Sequence, residues 1–247
     1  MKEKEVYLIL GASGGIGSAL ARRLATAGAD LLLAGRSADK LAALGAELDA
    51  PTFVLDARAP GGVEAAAAVA VAHHGQLDGI ANMVGSLLLK PAHLTSDEEW
   101  RDTLALHANS AFGAVRAAAE HLRRRGGSVV LVSSAAARLG LANHEAIAAA
   151  KGAVQGLALA AAATYAPFGI RVNVVAPGLV ETPLTAGLTA NEAQRKGSEA
   201  MHPLGRIGRP QEVASAAAWL LHPDQAWVTG QIIGVDGGLA TVRSRRA

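Results

Sequence analysis

The sequence contains no cysteine. That excludes a disulfide scaffold, thiolate metal sites and cysteine nucleophiles. It suits a reducing compartment, so a cytoplasmic location is expected. Aromatic residues make up 3% of the 247, against a hydrophobic fraction of 51%. The apolar mass is therefore Ala, Val, Leu and Ile with 28 glycines among them, which points to small side chains between closely packed helices. Charge of one sign is lacking too: 23 basic and 21 acidic residues leave a formal +2. Small net charge and high apolar content together exclude disorder. No basic run with interleaved aromatics suggests a nucleic-acid partner, and Arg243, Arg245 and Arg246 read as a short solvated tail. Long hydrophobic runs are missing as well. The five apolar residues before Gly11 are too few for a signal peptide or anchor, and Gly156 to Ala163 falls far below the roughly 20 residues of a spanning helix. No membrane partner is expected. His73 and His74 end a helix, and His93, His107, His121, His202 and His222 are scattered without i, i+4 pairing, so no metal site is expected.

What is present is a strand-then-helix alternation. Short apolar runs at Val6–Leu10, Leu31–Ala34, Thr52–Leu55, Gly79–Met83, Ser128–Ser133, Arg171–Val175 and Ile232–Val235 read as buried strands. Between them lie helical patterns at Ile16–Ala27, Asp39–Leu48, Gly62–His73, Asp97–Arg124 (interrupted near Ala108), His144–Tyr165 and Pro210–Leu221. Ser37 or Asp39 caps the second helix, and Pro210 opens the last. Continuous apolar strands separated by helices predict an α/β fold: one doubly wound domain over residues 1–247, with a seven-stranded parallel sheet covered on both faces. Thr182 to Gly208 is the least regular long segment and reads as a lid over a site or a passive surface excursion.

The first strand runs into Gly11-Ala12-Ser13-Gly14-Gly15-Ile16-Gly17, which opens the first helix. In that setting glycines serve a tight turn and a close backbone approach to a pyrophosphate, while the helix start offers free N–H groups. At the end of the second strand, a dinucleotide fold selects its ribose. An acid there favours NAD, and an Arg accommodates the 2′-phosphate of NADP. Here the stretch is Ala34-Gly35-Arg36-Ser37, with no acid until Asp39, so NADP(H) is preferred and NAD(H) remains possible. Arg36 as an ordinary solvated loop residue is the alternative. Asp56 closes the third strand, where a carboxylate can accept from the adenine amino group.

By these motifs the chain resembles the short-chain dehydrogenase/reductase family in its common single-domain form, from about Val6 to Leu239. The GASGGIG loop is similar to the family's cofactor loop. Asn82-Met83-Val84-Gly85 resembles its Asn-Asn-Ala-Gly turn, and Asn109 matches the family's helix asparagine. Ser134 falls where the family has its catalytic serine. Gly169 to Asn173, Pro177, Gly178 and Thr182 resemble the loop that holds the nicotinamide carboxamide. Gly230-Gln231 and Val235-Asp236-Gly237-Gly238 match the C-terminal signature. The resemblance implies a Rossmann-like fold and NAD(P)-dependent hydride transfer. It also implies a cofactor site of Gly11, Ser13, Gly14, Gly15, Ile16, Gly17, Arg36, Ser37, Asp56, Asn82, Gly85, Lys151, Pro177, Gly178 and Thr182.

One position departs from the pattern. The family's Tyr-x-x-x-Lys motif keeps Lys151, but Ile147 stands four residues before it. The register holds, because Ser134 lies thirteen residues before Ile147, as the family's serine lies before its tyrosine. Ile147 can neither donate nor accept a proton, and losing a positioned general acid costs about 10²–10⁴-fold. Ser134, Asn109 and Lys151 remain as candidate catalytic residues. His144, seven before Lys151, occupies the slot where the family's enoyl reductases carry their tyrosine. Positions seven apart on a helix return to within about 20° of one face. His144 therefore reads either as a proton donor near the pocket mouth or as an ordinary helix-start histidine. Tyr165 lies about 21 Å along the helix from Lys151 and reads as a packing residue.

The helix after Lys151 is small and apolar on nearly every face, so one side can meet a partner subunit. The resemblance implies a homotetramer, with a dimer as the lesser assembly and a second contact near the last strand. Two functions fit. The first is an oxidoreductase acting on a small carbonyl, imine or activated alkene, with the proton supplied by His144 or by water on Lys151. The second is a non-catalytic dinucleotide-binding sensor or partner subunit.

Overall fold

The computed structural model describes residues 4–243; Arg245, Arg246 and the first three residues lie outside them. Seven strands form one parallel sheet: β1 (Val6–Leu10), β2 (Asp30–Gly35), β3 (Thr52–Val54), β4 (Gly79–Asn82), β5 (Gly127–Val132), β6 (Ile170–Pro177) and β7 (Ile232–Val235). Their order is β3-β2-β1-β4-β5-β6-β7. The chain winds outward from β1 to β3, returns to pair β4 against β1, and winds outward the other way. The loops leaving β1 and β4 therefore diverge, and a crevice opens beyond the carboxyl ends of those two strands.

Alternation along each strand decides what each sheet face meets. Val6, Leu8 and Leu10 of β1 join a cluster with Ala66 and Ala70 of α3 (Gly62–His74), Ala114 and Ala118 of α5 (Ser110–His121), and Val154 and Ala158 of α6 (Glu145–Tyr165). Tyr7 and Ile9 join the opposite cluster with Leu20 and Leu24 of α1 (Gly15–Thr26), Leu41 of α2 (Ala38–Leu48), and Val213 and Ala217 of α9 (Pro210–Leu221). The small residues bring α3 and α5 together so closely that a Cβ on Gly113 would meet Val63 Cβ at 3.1 Å. Arg171 of β6 is buried and donates to the carbonyls of Leu220, Leu221 and His222 at the end of α9, where a helix presents unpaired acceptors and partial negative charge.

Several expectations are corrected. β3 is an edge strand with Thr52 and Val54 exposed, so it is not buried on both faces. The segment 182–208 is not irregular: it folds into α7 (Ala186–Thr189) and α8 (Glu192–Met201), the latter capped by the Asn191 side chain. Ser37 stands at the N-cap of α2 but makes no side-chain capping bond. The run Gly156–Ala163 belongs to a longer unit, Glu145–Phe168, whose 24 residues are long and apolar enough by length and composition to cross a membrane. Here that helix is a core element, with Ala146, Ile147, Ala150, Val154, Ala158, Ala161 and Ala162 buried. The interruption expected near Ala108 is a π-helical turn, Ala105–Asn109, joining α4 (Asp97–Leu104) to α5.

Candidate active site

A cavity of about 590 Å³ occupies the crevice, from Arg36, Ser37 and Asp56 at one end to Ser134, Ile147 and Lys151 at the other. Its floor is the glycine loop. Gly11 has φ +71°, and a Cβ there would touch the Met83 carbonyl at 3.0 Å. A Cβ on Gly17 would lie 2.2 Å from the Gly11 oxygen, and one on Gly15 2.7 Å from Thr182 Cγ2. These glycines are thus required by the close packing of the loop against Met83 and Thr182 and of the start of α1 against the loop itself. α1 starts there with Gly14 at its N-cap and no side chain filling the cap. Such a cradle fits a dinucleotide pyrophosphate.

Of the expected cofactor residues, Gly11, Ser13, Gly14, Gly15, Ile16, Gly17, Arg36, Ser37, Asp56, Gly85, Lys151, Pro177, Gly178 and Thr182 line the cavity. Lys40, one turn past Ser37, adds a second cation beside Arg36 and was not anticipated. Asp56 is gripped by the Arg58 guanidinium at 2.7–3.2 Å, which holds its carboxyl below the ordinary range, with a smaller contribution from Arg36. Asn82 is a correction: it is buried outside the cavity lining. It donates to Ser110 Oγ (2.9 Å) and accepts from Val84 N–H (3.1 Å), so it braces the turn that carries Gly85.

At the other end, Ser134 lines the cavity while its Oγ accepts from Ala136 N–H at 3.1 Å. Ser133 also reaches the cavity, and its Oγ donates to the Lys151 carbonyl (2.9 Å), tying β5 to α6. Ile147 is 4% exposed and forms cavity wall one turn before Lys151. The chain's two tyrosines lie elsewhere, Tyr7 in one core cluster and Tyr165 packed on the other. Lys151 Nζ donates to the Val132 carbonyl at 2.9 Å, and burial pushes the amine down to about 7.

Two expected catalytic residues do not reach this site. Asn109 is exposed on the outer side of the π turn. Two residues correspond to roughly half a helical revolution, so His107 points inward where Asn109 points out. His107 is 2% exposed, and its Nε2 lies 3.4 Å from Ser86 N–H and 3.1 Å from Ser86 Oγ. Burial, and secondly the charge of Lys151, press its pKa down to about 2, so it stays neutral. The spacing of Thr103, His107, Ser110 and Ala114, at steps of three and four, was the signal that could have found it. His144 is the second correction. It sits just before α6, its Nδ1 lies 2.7 Å from the Ala142 carbonyl, and it is not among the cavity-lining residues. The segment 182–208 gives the cavity only its first turn, Thr182 to Thr185. Behind it, buried His202 accepts from Leu179 N–H (3.2 Å) and sits where a Cβ on Gly178 would clash at 2.7 Å, fixing the loop after β6.

Comparison with known proteins agrees with this architecture. A family model described as enoyl-(acyl carrier protein) reductase matches residues 11–240. The chain is 33% identical to the 3-oxoacyl-[acyl-carrier-protein] reductase FabG of Escherichia coli (strain K12), covering 97% of this chain and 99% of that protein. Among solved structures, a short-chain type dehydrogenase/reductase from Mycobacterium ulcerans superposes with a TM-score of 0.92 at 33% identity, covering 96% of this chain and 90% of that one. A variant actinorhodin polyketide ketoreductase with NADPH superposes at 0.91 and 30% identity, covering 98% and 99%.

Proposed function

The chain belongs to the short-chain dehydrogenase/reductase family, and within it we propose an NADP(H)-preferring oxidoreductase acting on a small carbonyl, imine or activated alkene. The observation that carries this reading is the single cavity joining the glycine cradle to Ser134 and Lys151. Bound there, a nicotinamide dinucleotide would supply or accept a hydride. The backbone of Gly14 to Gly17 would hold its pyrophosphate, and Arg36, Lys40 and Ser37 a 2′-phosphate. Pro177, Gly178 and Thr182 would receive the nicotinamide end. Ser134 Oγ would bind the substrate's oxygen or nitrogen, and the apolar wall of Ile147 and Leu184 would keep water from it. The NADPH named with the ketoreductase structure supports the cofactor preference.

Ile147 supports a second reading, a non-catalytic dinucleotide-binding protein. Purified protein incubated with NADPH and a panel of ketones, imines and enones separates the two through the cofactor absorbance. Turnover that collapses in Ser134→Ala supports the enzyme. Tight NADPH binding with no turnover on any panel member supports the sensor. For assembly we propose a homotetramer, or failing that a dimer. Phe112 of α5, Leu159 of α6 and Phe168 in the turn after α6 expose apolar surface, and Trp227, 99% exposed, lies before β7. The absence of cysteine fits a cytoplasmic enzyme.

A further inference from the structure

The lining of the cavity leaves few sources for a proton. Among the described residues its ionisable side chains are Arg36, Lys40, Asp56 and Lys151, and the first three cluster at the far end beside Ser37. The catalytic end offers the hydroxyls of Ser86, Ser133, Ser134, Thr182 and Thr185, the hydrocarbon of Ile147, and the amine of Lys151. A serine or threonine hydroxyl positions a substrate atom well but cannot by itself release a proton near neutral pH. Lys151 Nζ makes one hydrogen bond, to the Val132 carbonyl, two residues from Ser134 on the same strand end. A protonated amine carries three donors, so two remain beyond that bond.

We infer that Lys151 Nζ itself exchanges the reaction's proton with the substrate, the task that a tyrosine would perform one helical turn earlier. This rests on the oxidoreductase reading above. In the reducing direction a dinucleotide held in the glycine cradle would supply the hydride that the carbonyl carbon receives. The C=O π pair moves to oxygen, the O–H bond forms as an Nζ–H bond breaks, and water at the cavity mouth reprotonates the neutral amine. Oxidation runs the same transfer backwards, with the neutral amine as base.

The surroundings suit an amine that titrates in the working range. Burial alone accounts for its lowered pKa of about 7, with no carboxylate offsetting it. His107 on the π turn is the titratable group facing it, and that ring is held neutral. On the other elements against α6, Glu99 of α4 is engaged by Lys90 and Arg116 of α5 by Glu64. Glu120 is exposed, and Arg171 of β6 caps α9.

The test combines a titration with kinetics. The Lys151 side chain of the whole protein, labelled with ¹⁵N-lysine and assigned through Lys151→Met, is titrated by NMR without cofactor. We expect a pKa near 7, and a carbonyl-reduction kcat that falls about tenfold per pH unit above it. Lys151→Met is expected to lower kcat about 10²–10⁴-fold, and methylamine to restore at least tenfold of the loss in Lys151→Ala. An amine titrating above 10 overturns the inference whatever the turnover. So does a kcat that is flat from pH 6 to 9, or one that survives in Lys151→Met. Absence of turnover by the wild-type protein on every substrate defeats the oxidoreductase reading itself, and this inference with it.

Discussion

Replacing Lys151 with Met should make the protein more stable at neutral pH. The native amine titrates near 7 instead of 10.5 because it is fully buried without an anionic partner. Each pKa unit corresponds to about 1.36 kcal/mol, so at pH 7 keeping this group inside costs about 4 kcal/mol. The sign follows from proton binding. Between pH 7 and 10.5 the unfolded chain holds a proton that the native state has lost, so wild-type stability rises with pH across that window. Met fills similar volume without charge. It forfeits the hydrogen bond to the Val132 carbonyl, which offsets about 1–3 kcal/mol of the gain. The net expectation at pH 7 is a gain of about 1–3 kcal/mol, or several degrees in Tm for a chain of this size. Urea denaturation of both proteins at fixed concentration, from pH 6.5 to 9.5, measures it. The advantage of Lys151→Met should be largest at or below pH 7 and shrink as pH rises. A variant less stable than wild type at pH 7, or a difference that does not move with pH, refutes the reasoning.

Other perturbations test separate parts. Arg36→Asp should move the NADPH-to-NADH affinity ratio at least tenfold towards NADH in equilibrium fluorescence titrations; an unchanged ratio removes Arg36 from cofactor selection. Gly17→Ala places a methyl group 2.2 Å from the Gly11 oxygen, so calorimetry should find dinucleotide binding lost. Arg171→Met strips the end of α9 of its buried donor and should cost about 2–4 kcal/mol in denaturant unfolding. His144→Ala should leave kcat unchanged, while Ile147→Tyr should raise carbonyl reduction in the same cofactor-absorbance assay.

Much of this molecule could be read from residue order, for physical reasons. Val6–Leu10 and Ile232–Val235 are short apolar runs bounded by polar or glycine punctuation, and both strands form where expected. Pro210–Leu221 carries its own start signal in Pro210 and its stop in His222-Pro223, and the helix has those ends. The glycine loop was legible because only backbone fits between Gly11, Met83 and Thr182. What escaped depends on geometry that motif spacing does not carry. The π turn at Ala105–Asn109 sets the phase of the helix, so a motif match picked Asn109 while the fold turned His107 inward. Helical phase alone also placed His144 on the pocket side, but the chain enters α6 there with the ring tied to Ala142. Asn82 has the residue type of a ligand contact and spends its hydrogen bonds on Ser110 and Val84. The two short helices in the segment 182–208, one of four residues and the other mostly polar, bury no residue and so present no core-facing stripe that would have announced them.

A crystal structure with NADPH bound tests the central claim most directly. The account expects the 2′-phosphate against Arg36 and Lys40, the pyrophosphate on Gly14 to Gly17, and the nicotinamide ring in contact with Ile147 with Lys151 Nζ beside it. A dinucleotide bound elsewhere, or a ring whose nearest proton-bearing neighbour is a side chain other than Lys151 or Ser134, would contradict it.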